Sequence, residues 1–256
     1  MTRVDRLEYR TLALALLASL LLWNLPFGGV VSYPFKLLAT WLHELSHGVA
    51  MMLTGAGFDS VVIYRDTSGL AYPKSASGAL ATAVIAGAGY MGTALWGALL
   101  FVVTPTARAA RAALLVLAAL LVLTAFTVVA IPDDGEAFGP YAIGIMGVCI
   151  AAAAIVLPRR WRVTIAHFIA AQSCVNALLD IRVLLRPNQV VNGVSTGVIS
   201  DAGNMARSTF GTTASWATTF WAIAWLVWSI AVLYFAFRVS GSRSSATEAP
   251  AAVPTG

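Results

Sequence analysis

The stretch from residue 35 to residue 54, FKLLATWLHELSHGVAMMLT, decides the class of fold. An apolar run of about 20 residues is long enough to cross the ~30 Å hydrocarbon layer of a bilayer as a helix. An ionisable side chain in the middle of such a helix costs about 2.5–3.5 kcal/mol on insertion scales, so it needs a partner or a function. This run holds three of them, His43, Glu44 and His47. It therefore predicts a membrane-spanning helix that carries a polar site.

The composition of the whole chain agrees with a membrane protein. Of 256 residues, 59% are hydrophobic and 11% are charged, and the mean hydropathy is +0.81. Soluble domains carry about 25% charged residues, so a soluble fold, a disordered chain, a coiled coil and a disulfide scaffold are all disfavoured. No basic run is long enough for nucleic-acid binding, and we assign the net charge of +5 to arginines near lipid headgroups. The expected partner surface is the lipid bilayer, with no nucleic acid.

Six more apolar runs have the length of a membrane span. We predict an all-α polytopic membrane protein of about six to seven transmembrane helices, forming one domain over residues 1–239. The Ser-, Ala- and Pro-containing tail, 240–256, is expected to be disordered. The predicted spans are 11–31, 35–54, 78–103, 109–131, 141–157, 161–185 and 215–239.

The segment between the second and third spans has the pattern of a small β-hairpin. A β-branched run at 58–65 and a shorter run at 70–73 flank the turn sequence Asp66-Thr67-Ser68-Gly69. The edge of this hairpin, around Val61 and Ile63, is a candidate surface for holding an extended peptide by strand addition.

The His43-Glu44-Leu45-Ser46-His47 sequence has the spacing of a metal site. Residues four apart on a helix share one face, so both imidazoles reach a single ion. Glu44 lies about 100° round the helix, where a carboxylate can take a proton from a water on that ion. The simpler alternative is a hydrogen-bonded polar patch packed between helices.

A hydrolytic zinc site needs a third protein ligand. One candidate is Asp180, which continues a polar stripe with Gln172 and Asn176 at intervals of four residues in the sixth span. The other is Asp201, in the segment Ser200-Asp201-Ala202.

The motif, the hairpin and a glycine-rich third span together resemble the site-2 protease family of intramembrane zinc metalloproteases. The resemblance extends over roughly residues 35 to 205. It implies zinc ligation by His43, His47 and Asp180, with Glu44 as the catalytic carboxylate.

The resemblance reaches two further positions. Asn176 matches the family's substrate-contacting asparagine, and the Gly89-Tyr90-Met91-Gly92 stretch is similar to its span-three glycine motif. Asp180 is followed by Ile181, where the family has glycine. Asp201 therefore stands as the alternative metal ligand.

The implied function is zinc-dependent hydrolysis of membrane-embedded or membrane-proximal peptide segments, as in regulated intramembrane proteolysis. The expected partners are membrane protein substrates, and the expected location is a bacterial plasma membrane. The alternative is a catalytically silent membrane scaffold or a metal-binding transporter. A transporter more naturally repeats its ligand sets along several helices, and the sequence holds one cluster.

Overall fold

The computed structural model describes residues 17, 21, 25–132, 135–179, 188–191 and 194–247. Within these ranges the chain forms seven helices and two two-stranded sheets. In chain order they are α1 (Gly28–Leu53), β1 (Phe58–Ile63), β2 (Gly69–Pro73), α2 (Ala79–Val103), α3 (Ala107–Thr127), α4 (Phe138–Val156), α5 (Arg159–Leu179), β3 (Asn188–Val191), β4 (Val194–Ile199), α6 (Asp201–Phe210) and α7 (Ser215–Thr247).

Four described helices are long and apolar enough to cross a membrane: α2, α3, α4 and the Ser215–Ala236 part of α7. The prediction of six to seven spans is not confirmed. Helices α1 and α5 occupy two of the predicted spans, but their polar side chains lower their hydropathy. Most of the predicted first span, 11–31, lies outside the described residues.

The main core lies between α1, β1, α3, α4 and α5. Trp41 of α1 is buried there beside Leu114 and Leu121 of α3. Its indole N–H donates to the Thr124 hydroxyl over 2.9 Å, which satisfies the one polar atom that this large side chain buries. Helices α3 and α4 approach closely at Gly147, where a Cβ would lie 3.0 Å from the Ala118 carbonyl oxygen. Such small residues allow backbones to pack in an apolar solvent.

The predicted hairpin is present as the antiparallel pair β1–β2. Its turn is closed by the Asp66 carboxylate, which accepts from the Ser68 backbone N–H over 3.0 Å. Thr67 adopts a left-handed conformation with φ of 68°. The outer edge of β1 pairs with the segment that follows α3, because Val61 donates to the Val128 carbonyl and accepts from the Ala130 N–H.

Two other features differ from expectation. The pair β3–β4 was not predicted, although Asn192-Gly193 between apolar runs is a strong hairpin signal. Helix α7 continues to Thr247 through the first part of the tail expected to be disordered. No proline interrupts the chain from Ser215 until Pro250, so nothing in the backbone forces an end at Ser240. Residues 248–256 lie outside the described part.

Candidate metal centre

Three side-chain atoms converge between α1 and α6. The Nε2 atoms of His43 and His47 are 3.0 Å apart. The Asp201 Oδ2 lies 3.2 Å from the first nitrogen and 3.4 Å from the second. The two histidines meet because they are one helical turn apart on one face of α1.

Local chemistry at the start of α6 places Asp201. The Ser200 hydroxyl caps the helix by accepting from the Gly203 N–H over 3.2 Å, and Asp201 occupies the first turn. A carboxylate there is favoured by the positive end of the helix dipole. Ala202 and Ala206 are fully buried on the same short helix, so its packing fixes the direction of the aspartate.

The donor set fits a zinc ion. Three ligand atoms at about 2.0–2.1 Å from a tetrahedral centre are separated from one another by about 3.3 Å, close to the observed triangle. The His47 Nδ1 lies 2.7 Å from the Ile85 carbonyl oxygen, an acceptor, so this nitrogen donates and Nε2 presents its lone pair to the cluster. Histidine ligands usually have such an outer partner. A bound cation would satisfy the lone pairs that meet here.

Glycines on α2 make room for the cluster. A Cβ at Gly89 would lie 2.5 Å from the His47 Nε2 and would also collide with the His43 ring. A Cβ at Gly92 would collide with the Ser46 hydroxyl, which accepts from the Trp96 indole N–H over 3.1 Å. The glycine motif identified in the sequence therefore lets α2 lie directly against the face of α1 that carries the candidate metal ligands.

An aromatic wall covers the other side of His43. The Tyr90 ring meets the imidazole edge to face, with centroids 4.6 Å apart. Trp225 of α7 stacks on Tyr90 at 5.3 Å. These rings restrict the orientation of the imidazole and exclude water from one side of the cluster.

Glu44 lies on the face of α1 that meets the hairpin. It is 6% exposed, and it is close enough to His43, His47 and Asp201 to interact with them electrostatically. The Ala71 backbone N–H of β2 donates to its carboxylate. A Cβ at Gly69 would lie 2.7 Å from the Glu44 Cγ, so β2 runs directly over this side chain.

Further polar contacts hold the hairpin along α1. The Tyr33 hydroxyl donates to the Arg65 carbonyl over 2.8 Å, and the Thr40 hydroxyl donates to the Thr67 carbonyl over 2.6 Å. Tyr33, Thr40 and Glu44 follow one another at intervals of seven and four residues, so they form one stripe on the helix. The edge of β1 at Val61 is taken by the chain after α3, and β2 faces Glu44 at Ala71. The sequence-based expectation that the hairpin offers a free edge around Val61 therefore does not hold in this conformation.

The structure brings together some of the predicted residues. His43, His47 and Asp201 form the only group of three or more potential metal ligands among the described residues. Asp180 lies outside the described residues, one position beyond the end of α5. Asn176 donates to the Phe35 carbonyl oxygen over 3.2 Å, about two turns before His43 on α1, so in this conformation its amide ties two helices together.

The fold and the site define a polytopic, mainly helical membrane protein with a candidate metal centre between its helices. The chain matches the family model described as Peptidase M50B-like over residues 12–236, and it belongs to this family. This agrees with the resemblance to the site-2 proteases, because the family represents membrane metalloproteases of the site-2 protease kind. Members are metallopeptidases that typically depend on zinc. The protein is a multi-pass integral membrane protein. Searches of curated proteins and of solved structures found no match.

Proposed function

We propose that the protein is an intramembrane zinc metalloprotease in which His43, His47 and Asp201 bind the metal and Glu44 is the catalytic acid–base. The observation that carries this proposal is the triangle of three ligand atoms, 3.0–3.4 Å on a side, beside a buried glutamate. The substrates are membrane-embedded or membrane-proximal segments of other membrane proteins, cut as a step of regulated intramembrane proteolysis.

Different residues have different roles in the proposed hydrolysis of the peptide bond. A bound zinc ion supplies Lewis-acid polarisation of the scissile carbonyl. Glu44 accepts a proton from the attacking water and returns it to the leaving amine. The Ala71 N–H orients the Glu44 carboxylate, and the Ile85 carbonyl fixes the His47 tautomer.

Access for a substrate requires movement of the hairpin. The peptide bonds of a membrane helix are already hydrogen-bonded within the helix, so the segment to be cut must unwind and find new partners. A β-strand edge offers such partners. A substrate strand that pairs with β2 near Ala71 would lie beside the Glu44 carboxylate.

The two alternative functions, a metal transporter and a catalytically silent scaffold, require different arrangements of polar residues. A transporter needs ligands along a path, whereas the described residues hold one group of possible ligands. A catalytically silent scaffold needs no catalytic carboxylate. In such a scaffold, burying Glu44 beside the cluster would lower the stability of the protein and serve no function. The arrangement therefore supports the protease over both.

The test combines metal content with cleavage. The protein is reconstituted in vesicles with a single-span model substrate whose helix contains glycine and asparagine, and zinc is measured by mass spectrometry. We expect Glu44→Gln to keep one zinc per chain and to lose about 10²–10⁴-fold in cleavage rate. Substantial cleavage by Glu44→Gln would overturn the proposed mechanism.

The third ligand is tested in the same preparation with Asp201→Asn and Asp180→Asn. We expect Asp201→Asn to lose most of the zinc and Asp180→Asn to keep it. The reverse result would assign the ligand to Asp180, and zinc retention in both variants would exclude a three-ligand site of either kind.

A further inference from the structure

A second site lies away from the metal, in a groove between α2 and α3. The groove has a volume of about 410 Å³. Leu99 and Val103 of α2 form one wall, and Ala112 and Val116 of α3 form the other. All four side chains are exposed.

The shape and chemistry of the groove suit a single acyl chain. Its lining is apolar apart from Ser173, whose hydroxyl donates to the Ile169 carbonyl. A methylene group fills about the volume of a water molecule, ~30 Å³, so the groove holds on the order of a dozen carbons. Three alanines on α3 supply the width, at positions 109, 112 and 113.

Positive charge lies next to the lining residue Ala109 of the groove. This residue lies in the first turn of α3, where the Thr106 side chain caps the helix by accepting from the Ala109 N–H. Arg108 is exposed and lies one turn before Ala112 on the same side of α3. From residue 96 to residue 120 the only charged residues are Arg108 and Arg111. A helix N-terminus with an arginine favours a phosphate group.

We propose that this groove binds one anionic phospholipid, with an acyl chain between α2 and α3 and the headgroup phosphate at Arg108 and the start of α3. The proposal is independent of the protease activity. The lining also includes Leu42 and Trp96, and the indole of Trp96 donates to Ser46 on the helix that carries the candidate metal-binding histidines. One hydrogen bond thus connects the lining of the groove to the helix that carries the candidate metal ligands.

The test is native mass spectrometry of the full chain with dioleoylphosphatidylglycerol and, separately, dioleoylphosphatidylcholine. We expect one phosphatidylglycerol to resist removal and phosphatidylcholine to bind more weakly. Replacing both Arg108 and Arg111 by alanine should weaken phosphatidylglycerol binding about 30-fold. The matched control, alanine at both Arg159 and Arg160, removes the same charge from the start of α5 and should bind as the wild type does. Equal weakening in both pairs would overturn the site.

Two further measurements address the groove itself. Ala112→Trp should abolish retention of the lipid, whereas Ala119→Trp, on an exposed part of α3 outside the lining, should not. If Ala112→Trp fails to fold, a photo-crosslinking amino acid in place of Leu99 decides instead. A product heavier by the mass of one phosphatidylglycerol supports the proposal. A product joined to a polypeptide would identify the groove as a protein-docking surface and overturn the lipid assignment.

Discussion

The two sides of α1 are held by different kinds of contact. On the side of α2, glycines bring a backbone against His43, His47 and Ser46 with no space left for a methyl group. On the side of the hairpin, polar groups bridge between the helix and a strand backbone. Close-packed small residues tolerate little displacement, whereas single hydrogen bonds contribute about 0.5–1.5 kcal/mol each. The candidate metal ligands of α1 thus lie on the rigid side, and Glu44, the proposed catalytic carboxylate, lies on the side held by single hydrogen bonds.

Gly89→Ala should have the largest effect on zinc content and cleavage, because it disrupts the close packing of α2 against α1. The new methyl group occupies the space of both imidazole Nε2 atoms, so the ligand triangle cannot form. We expect zinc content to fall by about 10–100-fold and cleavage to fall with it. Gly87→Ala on the same helix is the control, since its Cβ meets no atom closer than 3.6 Å. Full zinc occupancy in Gly89→Ala would show that the histidines do not depend on this contact.

Gly69→Ala should affect the hairpin side of α1 and leave the α2 side unchanged. Its methyl group meets the Glu44 Cγ and the Thr40 Cγ2, so β2 must move away from the carboxylate while the ligand triangle is untouched. We expect zinc content to be unchanged and kcat/KM to fall about 10²-fold, because a displacement of about 1 Å near reacting groups has that effect. Gly78→Ala, which meets nothing within 4 Å, serves as the control. Loss of zinc in Gly69→Ala would mean that the two sides are not independent.

Thr40→Val should have the smallest effect. It removes the 2.6 Å hydrogen bond to the Thr67 carbonyl and leaves the shape of the side chain almost unchanged. We expect the amides of residues 58–73 to exchange with deuterium about 2–10-fold faster, with zinc content unaltered. Thr127→Val loses a comparable 2.8 Å bond within α3 and should leave the hairpin as it is. Unchanged exchange in Thr40→Val would show that this contact does not hold the hairpin.

The features of the site that lie within one helix or one hairpin were predictable from the sequence. The histidine pair and the position of Glu44 follow from helical periodicity within one element, and the β1–β2 hairpin follows from its turn residues. The glycine motif was recognised, but the atoms that it makes room for belong to another helix.

The proposed third ligand illustrates what a sequence pattern does not contain. The resemblance to the site-2 proteases and a polar stripe on one helix together point to Asp180. Asp201 comes close to the histidines through the Ser200 cap and the packing of α6, and neither leaves a periodic signal. The Val61–Val129 bridge also leaves no signal in the sequence, because it joins two segments whose secondary structure is predicted independently from local propensity.

The distance along the chain between His43 and Asp201 has a consequence for biosynthesis. The two residues are 158 positions apart. At about 5–20 residues per second, the histidines and Glu44 are synthesised roughly 8–32 s before the aspartate that meets them. The partly made protein therefore holds the glutamate without a complete ligand set. On the proposed ligand assignment, a ribosome-bound chain cannot cut its neighbours in the membrane until Asp201 has been made.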